Sequence, residues 1–333
     1  MKNITSKQMN LNAARIAKKD EFYTQLSDVE NEMMHYRNHF KGKVIYCNCD
    51  DPRESAFFKY FFMKFHHLGL KRLIASCYRN TSRDLFSRHD SEKAIWLSYD
   101  GSKHGDQMPS IDDIGINEFN GDGDFRSSEA MDLLRQSDIV ITNPPFSLFR
   151  PYISQLMECN KKFIVIGSLN AISYRDIWAF IRDGRLWLGC ENRASLFRVP
   201  DDYEGSNIIL KDGVKFAKMG NTYWYTNLNH KKRSVEMIMP QRYKGNEDAY
   251  PFYDNIKAIE VNKVKNIPCD YKGVMGVPIT FLEHYNPDQF TILGLDMFDM
   301  PRLPHLKTKG SVKWDRGYIQ GQRKYARILI QRK

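Results

Sequence analysis

A chain of 333 residues is long enough for one large domain, or for a catalytic domain with a smaller recognition domain. Hydrophobic residues make up 42% and charged residues 27%, an ordinary soluble globular composition. No apolar run approaches the roughly 20 residues of a membrane-spanning helix, the N-terminus lacks the apolar centre of a secretory signal, and a net charge of +10 favours an anionic partner in the cytoplasm.

Residues 1–20 are polar with scattered lysines and read as a loosely ordered arm. Helical spacing of Val29, Met33, Met34 and Tyr36 predicts a helix over Ser27–Phe40. Lys43–Cys49 is a short apolar run that ends in Asp50-Asp51-Pro52, as a buried strand entering a loop does. The aromatic stretch Ser55–His67 predicts a buried helix, and Lys71–Tyr78 a second strand. A polar insertion follows over Arg79–His104, with Ile95–Tyr99 a candidate strand inside it. Then come a helix over Glu129–Arg135, a strand over Ser137–Thr142, a helix over Leu148–Cys159 and a strand over Lys162–Gly167. Ile172–Asp183 reads as a helix and Leu186–Gly189 as a short strand. Strands alternating with helices from Val44 to Gly189 argue for a doubly wound α/β sheet. Past Gly189 the pattern changes. Thr222–Leu228 alternates like a strand, Lys324–Gln331 reads as a closing strand, and Glu191–Phe252 has no sustained period. The expected division is therefore an arm over 1–20, a catalytic domain over 21–190, and the end of the sheet with a recognition region over 191–333.

The sharpest chemical signal is Asn143-Pro144-Pro145-Phe146, directly after the strand that ends at Thr142. Two prolines cannot continue a sheet, so the chain leaves the strand rigidly and its carbonyls are held in fixed directions. Methylation of an exocyclic amine needs such acceptors. The amine's lone pair is delocalised into the ring, and acceptors that bind both amino hydrogens draw the nitrogen toward a tetrahedral form. The Asn143 side-chain oxygen and the Pro144 carbonyl suit that task, and Phe146 suits stacking on an extruded base. The same tetrapeptide also reads as a turn with a buried aromatic.

Further signals surround it. Asp124-Phe125, within Gly121-Asp-Gly-Asp-Phe125, suits the adenine of a nucleoside cofactor, the carboxylate taking amino hydrogens and the ring packing on the base; it equally reads as a solvated turn. Tyr23-Thr24, ahead of the first strand, reads as a helix cap; it also resembles the aromatic-Tyr-Thr element of N6-adenine methyltransferases, which implies a place at the methionine end of their cofactor. The first turn, Cys47-Asn48-Cys49-Asp50-Asp51, lacks the glycine that lets backbone approach a cofactor, yet Asp50 or Asp51 offers a carboxylate to a cationic amino group. The second strand ends in Cys77-Tyr78 without an acid for ribose hydroxyls. The six cysteines form no CxxC pair and no zinc-like spacing, so reduced thiols, no disulfide and no metal are expected.

Charge is unevenly spread. Asp100–Asp138 holds ten acids against three bases, whereas Pro301–Lys333 holds ten bases against Asp315 alone. Together with Lys231, Lys232, Arg233 and Arg242, the basic C-terminal third supplies candidate phosphate contacts, or a solvated basic face.

Glu21–Gln25, Tyr46–Pro52, Leu73–Tyr78, Gly121–Glu129, Thr142–Phe149, Tyr271–Phe281 and Asn286–Phe290 together resemble the EcoRI-type adenine-specific DNA methyltransferases over nearly the whole chain. The resemblance implies a Rossmann-like fold dependent on S-adenosyl-L-methionine, with a C-terminal DNA-recognition region. It also implies base flipping in double-stranded DNA and methyl transfer to adenine N6, with GAATTC the target of the family's name-giving member. A cognate restriction endonuclease acting on the same site would be a partner. Asn-Pro-Pro-aromatic enzymes also act on RNA adenines and protein glutamines, and a catalytically idle DNA-binding relative is a further alternative. The basic third and the lack of a recognisable RNA-binding module favour DNA.

Overall fold

The computed structural model describes residues 23–49, 51–78, 93–102, 109–191, 196–199, 207–211, 213–299 and 315–333. The expected arm lies outside them. The chain divides into two compact units, Met1–Leu169 with Gly189–Leu228, and Asn170–Leu188 with Asn229–Lys333.

The first unit is built on a sheet with strands β1 (Val44–Asn48), β2 (Arg72–Cys77), β3 (Ile95–Tyr99), β4 (Asn117–Glu118), β5 (Ile139–Thr142), β6 (Lys162–Ser168) and β7 (Thr222–Thr226). Their spatial order is β4-β3-β2-β1-β5-β6-β7. β2, β1, β5 and β6 run parallel, while β3, β4 and β7 pair antiparallel at the flanks. All of β1 and β5 is buried, as expected of strands covered on both faces. The order turns back at β1, which has β2 on one side and β5 on the other. That is the topological switch point, where an open α/β sheet leaves a crevice beyond its strands' carboxyl ends. The fold is the Rossmann-like α/β arrangement expected from the alternation.

Helix α1 (Leu26–Met33) and helix α2 (Ala56–Met63) lie against each other. α2 starts at Ser55, whose hydroxyl accepts the Phe58 N–H at 3.3 Å, and buries Phe57, Phe58, Tyr60 and Phe61. Both expected long helices are interrupted. Met34–Tyr36 tightens to a 3-10 turn before Arg37–Phe40, and Lys64 breaks α2 from the turn Phe65–Leu68, which Gly69 ends at φ +62°. Helices α3 (Ser128–Gln136) and α4 (Phe149–Glu158) connect to β5 and β6. A second small sheet joins Tyr23–Thr24, Leu196–Arg198, Val214–Lys218 and Ile208–Lys211. Glu32 in α1 is fully buried and accepts from the Tyr36 hydroxyl (2.7 Å) and the N–H groups of Cys190 (2.9 Å) and Glu191 (2.6 Å). Burial raises its carboxyl above the ordinary value.

The second unit holds helix α5 (Arg175–Arg182) and a sheet of β8 (Ile259–Glu260), β9 (Met275–Pro278), β10 (Phe290–Leu295) and β11 (Arg327–Arg332), in the order β8-β9-β11-β10. The closing strand expected near Lys324–Gln331 thus exists, but it pairs in this separate sheet. Its partners β9 and β10 share its buried apolar face, through Met275, Val277, Phe290, Ile328 and Ile330. α5 is fixed to this unit because Asp299 accepts from the Trp178 indole at 2.5 Å and from Arg182 at 2.9 Å. Glu260, buried, is held by Arg327 at 2.6 Å. Among the described residues no helix is long and apolar enough to cross a membrane.

Glu32→Ala removes the acceptor of two backbone donors and a tyrosine hydroxyl. Chemical denaturation is expected to show a loss of roughly 2–4 kcal/mol, with Glu32→Gln losing less; an unchanged midpoint in the alanine variant would mean that the carboxylate holds nothing.

Candidate active site

The site is built where β1 and β5 end side by side. β1 leaves the sheet through Cys49, whose φ of +81° puts a non-glycine residue in the left-handed region. The glycine absent from the sequence is thus replaced by a cysteine that adopts the glycine conformation, at a cost of order 1–3 kcal/mol. Asn48, buried at the end of β1, is fixed on two sides. Its backbone carbonyl accepts from the Thr142 hydroxyl at the end of β5, and its side-chain oxygen accepts from the Tyr152 hydroxyl of α4 at 2.5 Å. Cys47 belongs to the hydrophobic core. Asp50 lies outside the described residues. Asp51 is buried, and its carboxylate takes the Arg53 N–H and Nε at 2.9 Å and Nη2 at 2.5 Å, while its carbonyl receives Glu54 and Ser55 on the way into α2.

Asn143 and Pro144 follow β5 and are both buried. The Pro145 carbonyl accepts the Leu148 N–H at 2.9 Å, closing a 3-10 turn over Phe146–Leu148 that runs directly into α4. Phe146 is half-buried and packs against the main core. The double proline therefore does what its chemistry dictates, leaving the sheet and starting a helix within a few residues.

α4 carries two residues that the sequence reading did not single out. Tyr152 reaches Asn48 with its hydroxyl and meets the Phe125 ring edge-on, with centroids 5.1 Å apart. Gln155, one turn further on, donates to the Phe125 carbonyl at 2.9 Å. Asn48, Phe125 and the helix behind Asn143–Phe146 are thereby brought together. Burial pushes the Tyr152 phenol well above its ordinary value, so it remains a donor. Both residues show the i, i+3 spacing of one helix face, which by sequence alone is indistinguishable from core.

The Gly121–Phe125 turn packs on the end of β2. A Cβ on Gly123, at φ +73°, would come within 2.7 Å of the Ala94 Cβ and 3.0 Å of the Cys77 carbonyl. This brings Asp122 and Asp124 to the strand end where Cys77-Tyr78 offers no acid. Asp124 accepts from the Arg126 N–H and Nε at 2.8 Å and Nη2 at 2.6 Å; the Arg126 guanidinium holds its carboxyl below the usual aspartate range. Glu129 secures the turn through the N–H groups of Asn120 and Gly121.

Tyr23 and Thr24 pair with Arg198 and Phe197, and Arg198 lies 3.9 Å from Glu54 in the loop after β1. The Thr24 hydroxyl is buried without a hydrogen-bond partner among the described residues. In the second unit, Lys231–Ser234 forms a 3-10 turn. Lys231 and Arg242 are exposed, and Lys232 is half-buried. Arg233 is stacked 3.7 Å over the Trp187 ring and donates to Asn229 at 3.3 Å. Within the basic C-terminus, Arg323 is engaged by Asp315 and Arg327 by Glu260, while Lys307, Lys309 and Lys313 lie outside the described residues. Among the described residues no cluster of His, Cys, Asp or Glu could hold a metal ion.

The family described as adenine-specific methyltransferase EcoRI matches residues 10–333. The Type II methyltransferase M.EcoRI of Escherichia coli is 45% identical over 341 aligned positions, covering 100% of this chain and 98% of the relative. The Type II methyltransferases M.MpnI of Mycoplasma pneumoniae and M.MgeORF184P of Mycoplasma genitalium are 38% and 37% identical, each over 97% of this chain and 98% of their own length. No solved structure matches the chain significantly. The chain belongs to the EcoRI-type adenine-specific methyltransferases.

Tyr152→Phe keeps the ring on Phe125 but strips the donor from the Asn48 side chain. The expected loss of stability is about 1–2 kcal/mol, against about 3–5 kcal/mol for Tyr152→Ala, both read from urea unfolding. A phenylalanine variant as stable as the parent would show that the hydroxyl does not hold Asn48.

Proposed function

We propose, from the premise of that family membership, that the chain is a site-specific DNA methyltransferase that transfers a methyl group from S-adenosyl-L-methionine to adenine N6 in double-stranded DNA. The observation that carries the reading is the placement of Asn143 and Pro144 at the carboxyl end of β5, beside the end of β1, at the switch point of the sheet. In this reading the Asn143 side-chain oxygen and the Pro144 carbonyl accept the two amino hydrogens of the flipped adenine. Phe146 stacks on that base, with Pro145 fixing the turn.

The residues around the β1 and β2 ends fit the cofactor by their chemistry. Asp124, kept ionised by Arg126, is an acceptor for an adenine amino group, and Phe125 flanks it. Asp51 and Asp50 suit the cationic amino group of the methionine end, with Asp51 shared with Arg53. The buried Thr24 hydroxyl, next to Tyr23, is a donor in search of an acceptor such as the methionine carboxylate. Cys49 turns the backbone as glycine does elsewhere, and so carries the chain sharply out of the sheet at the carboxyl end of β1. Cys47, in the core, supports this turn from behind.

When bound, the cofactor supplies an electrophilic sulfonium methyl. The protein's share is to orient the amine in line with it and to exclude water, so proximity and desolvation carry the rate. Lys231, Lys232 and Arg242 are the phosphate contacts of this reading, and Arg233 supports them from its stack on Trp187. The target is GAATTC or a related site, and the setting is the cytoplasm beside a restriction endonuclease of the same specificity.

Sequencing of DNA treated with the purified protein and S-adenosyl-L-methionine, by a method that reads N6-methyladenine, is expected to show one short methylated motif. Transfer only to RNA or to a protein extract would replace the DNA reading. Asn143→Ala is expected to abolish transfer while DNA affinity stays within several-fold of the parent; full activity in that variant would remove Asn143 from the chemistry.

A further inference from the structure

The two faces of the first unit's sheet differ at the carboxyl ends of its central strands. Register sets Asn48 of β1 beside Ser76 of β2, and Tyr46 of β1 beside Val140 of β5. Side chains alternate along each strand, so Ile45, Cys47, Leu73, Ala75, Ile139 and Ile141 turn to one face, where they enter the main apolar core. Tyr46, Asn48, Ser76 and Thr142 turn to the other face, the one that Tyr152 of α4 covers, and all of them are buried. A parallel strand covered by a helix is ordinarily apolar on both faces. Polar side chains at one level on three neighbouring strands therefore need a physical reason.

These side chains form one connected chain. The Tyr46 and Ser76 hydroxyls lie 2.6 Å apart, and the Tyr46 phenol also hydrogen-bonds the Asn48 side chain. The Asn48 side-chain oxygen accepts from Tyr152 at 2.5 Å, and its backbone carbonyl accepts from the Thr142 hydroxyl. Burial pushes the Tyr46 phenol up, so it stays protonated and keeps its place as a neutral link. Among the described residues, none of these side chains has a buried polar atom without a partner. A satisfied network of this kind adds little stability over a well-packed apolar pair, since replacing both partners of a hydrogen bond together is nearly neutral. Its yield is a single arrangement, because each member fixes the next. One end of the chain is Ser76, and the other end, Thr142 with Tyr152, flanks Asn143–Phe146 on both sides in sequence.

We propose that Tyr46 is a positioning residue for methyl transfer. Backed by Ser76, its hydroxyl sets the Asn48 side chain, and Asn48 in turn sets the Asn-Pro-Pro-Phe turn through Tyr152 and Thr142. The inference rests on the proposed reading of that turn as the base-binding element. Tyr46 acts through Asn48, so its loss alters where the acceptors of the turn stand and leaves their chemistry unchanged. A displacement of a fraction of an ångström at such acceptors is enough to slow an in-line transfer.

The full chain carrying Tyr46→Phe, or Tyr46→Phe together with Ser76→Ala, separates position from stability. The single variant strands the Ser76 hydroxyl in the interior and is expected to unfold at a lower urea concentration. The double variant removes both partners, and its urea midpoint is expected to return most of the way to that of the parent. Single-turnover transfer to a duplex holding the methylated motif, with S-adenosyl-L-methionine saturating, is expected to be about tenfold slower in both variants. Calorimetric affinity for S-adenosyl-L-homocysteine is expected to stay within about threefold of the parent in both. Recovery of the rate together with the stability in the double variant would overturn the proposal and make the hydroxyls purely structural. A parent-like rate in the single variant would overturn it too, as would a loss of homocysteine-product affinity as large as the loss of rate. If the double variant does not fold, Ser76→Ala alone decides: it keeps the phenol on Asn48, a rate about threefold lower is expected, and an unchanged rate overturns the proposal. A parent that binds S-adenosyl-L-homocysteine yet methylates no duplex would instead remove the reading of the turn, an outcome visible before any variant is compared.

Discussion

The site depends on the fixing of Asn48. This residue ends the central strand of the sheet, within its parallel core and at the point where the strand order turns back, and its two polar handles are taken by different elements. Thr142, the last residue of β5, holds its carbonyl, and Tyr152, from the helix that β5 leads into, holds its side chain. The two bonds tie β1 to the strand and to the helix on either side of Asn143–Phe146. The Asn-Pro-Pro-Phe turn therefore cannot shift relative to the end of β1 without breaking at least one of two buried hydrogen bonds, each costly to leave unmade in a low-dielectric surrounding. Tyr152 extends the same constraint to the Gly121–Phe125 turn through its ring. Three segments distant in sequence are thereby registered against one another by one asparagine and one tyrosine.

The backbone at Cys49 follows from the same constraint. A chain leaving a parallel strand at the switch point must turn sharply if its amides are to face the crevice, and glycine is the usual solution because it lacks a Cβ. Here the left-handed conformation is imposed on a cysteine, which persists because Asn48 before it is locked and Asp51 after it is anchored by Arg53 and by the first turn of α2. A missing glycine is thus compatible with a sharp left-handed turn at the end of β1, provided that the surrounding hydrogen bonds over-determine the backbone.

Much of this was legible in the sequence, and the reasons are specific. Continuous apolar runs such as Val44–Asn48 and Ile139–Thr142 announce strands buried on both faces, and the double proline after Thr142 fixes where the chain must leave the sheet. What was not legible depends on partners far along the chain. Tyr152 has the spacing of a core residue, and only the fold shows its hydroxyl on Asn48. The placement of Asn170–Leu188 with the C-terminal unit rests on Trp178 and Arg182 finding Asp299, a contact no local pattern encodes. Arg233 reads as one member of a basic run, and only the fold shows Trp187 beneath its guanidinium. The strand near the C-terminus was visible as alternation, but its sheet could not be chosen, because β-periodicity identifies a face without naming the partner.

The acidic stretch from Asp100 to Asp138 poses a problem for an enzyme acting on a polyanion, since uncompensated carboxylates near the active site would repel it. The structure answers part of it locally. Asp124 is neutralised by Arg126, Asp132 by Arg135 and Glu118 by Lys93, while Glu129 and Asp138 are spent on backbone N–H groups of Asn120, Gly121 and Val44. Exposed ion pairs of this kind contribute little to stability, typically about 0–1 kcal/mol each. Their consequence is electrostatic. Among the described residues, Glu118, Asp124 and Asp132 are thus paired with cations, which shortens the reach of their fields, while the basic residues elsewhere in the chain supply its net positive charge. Asp51 with Arg53 repeats the arrangement at the turn after β1, through the same spacing of aspartate and arginine two residues apart. Each of these turns thus sets a carboxylate beside an arginine two residues on, and the pair projects a weaker field than the carboxylate alone would.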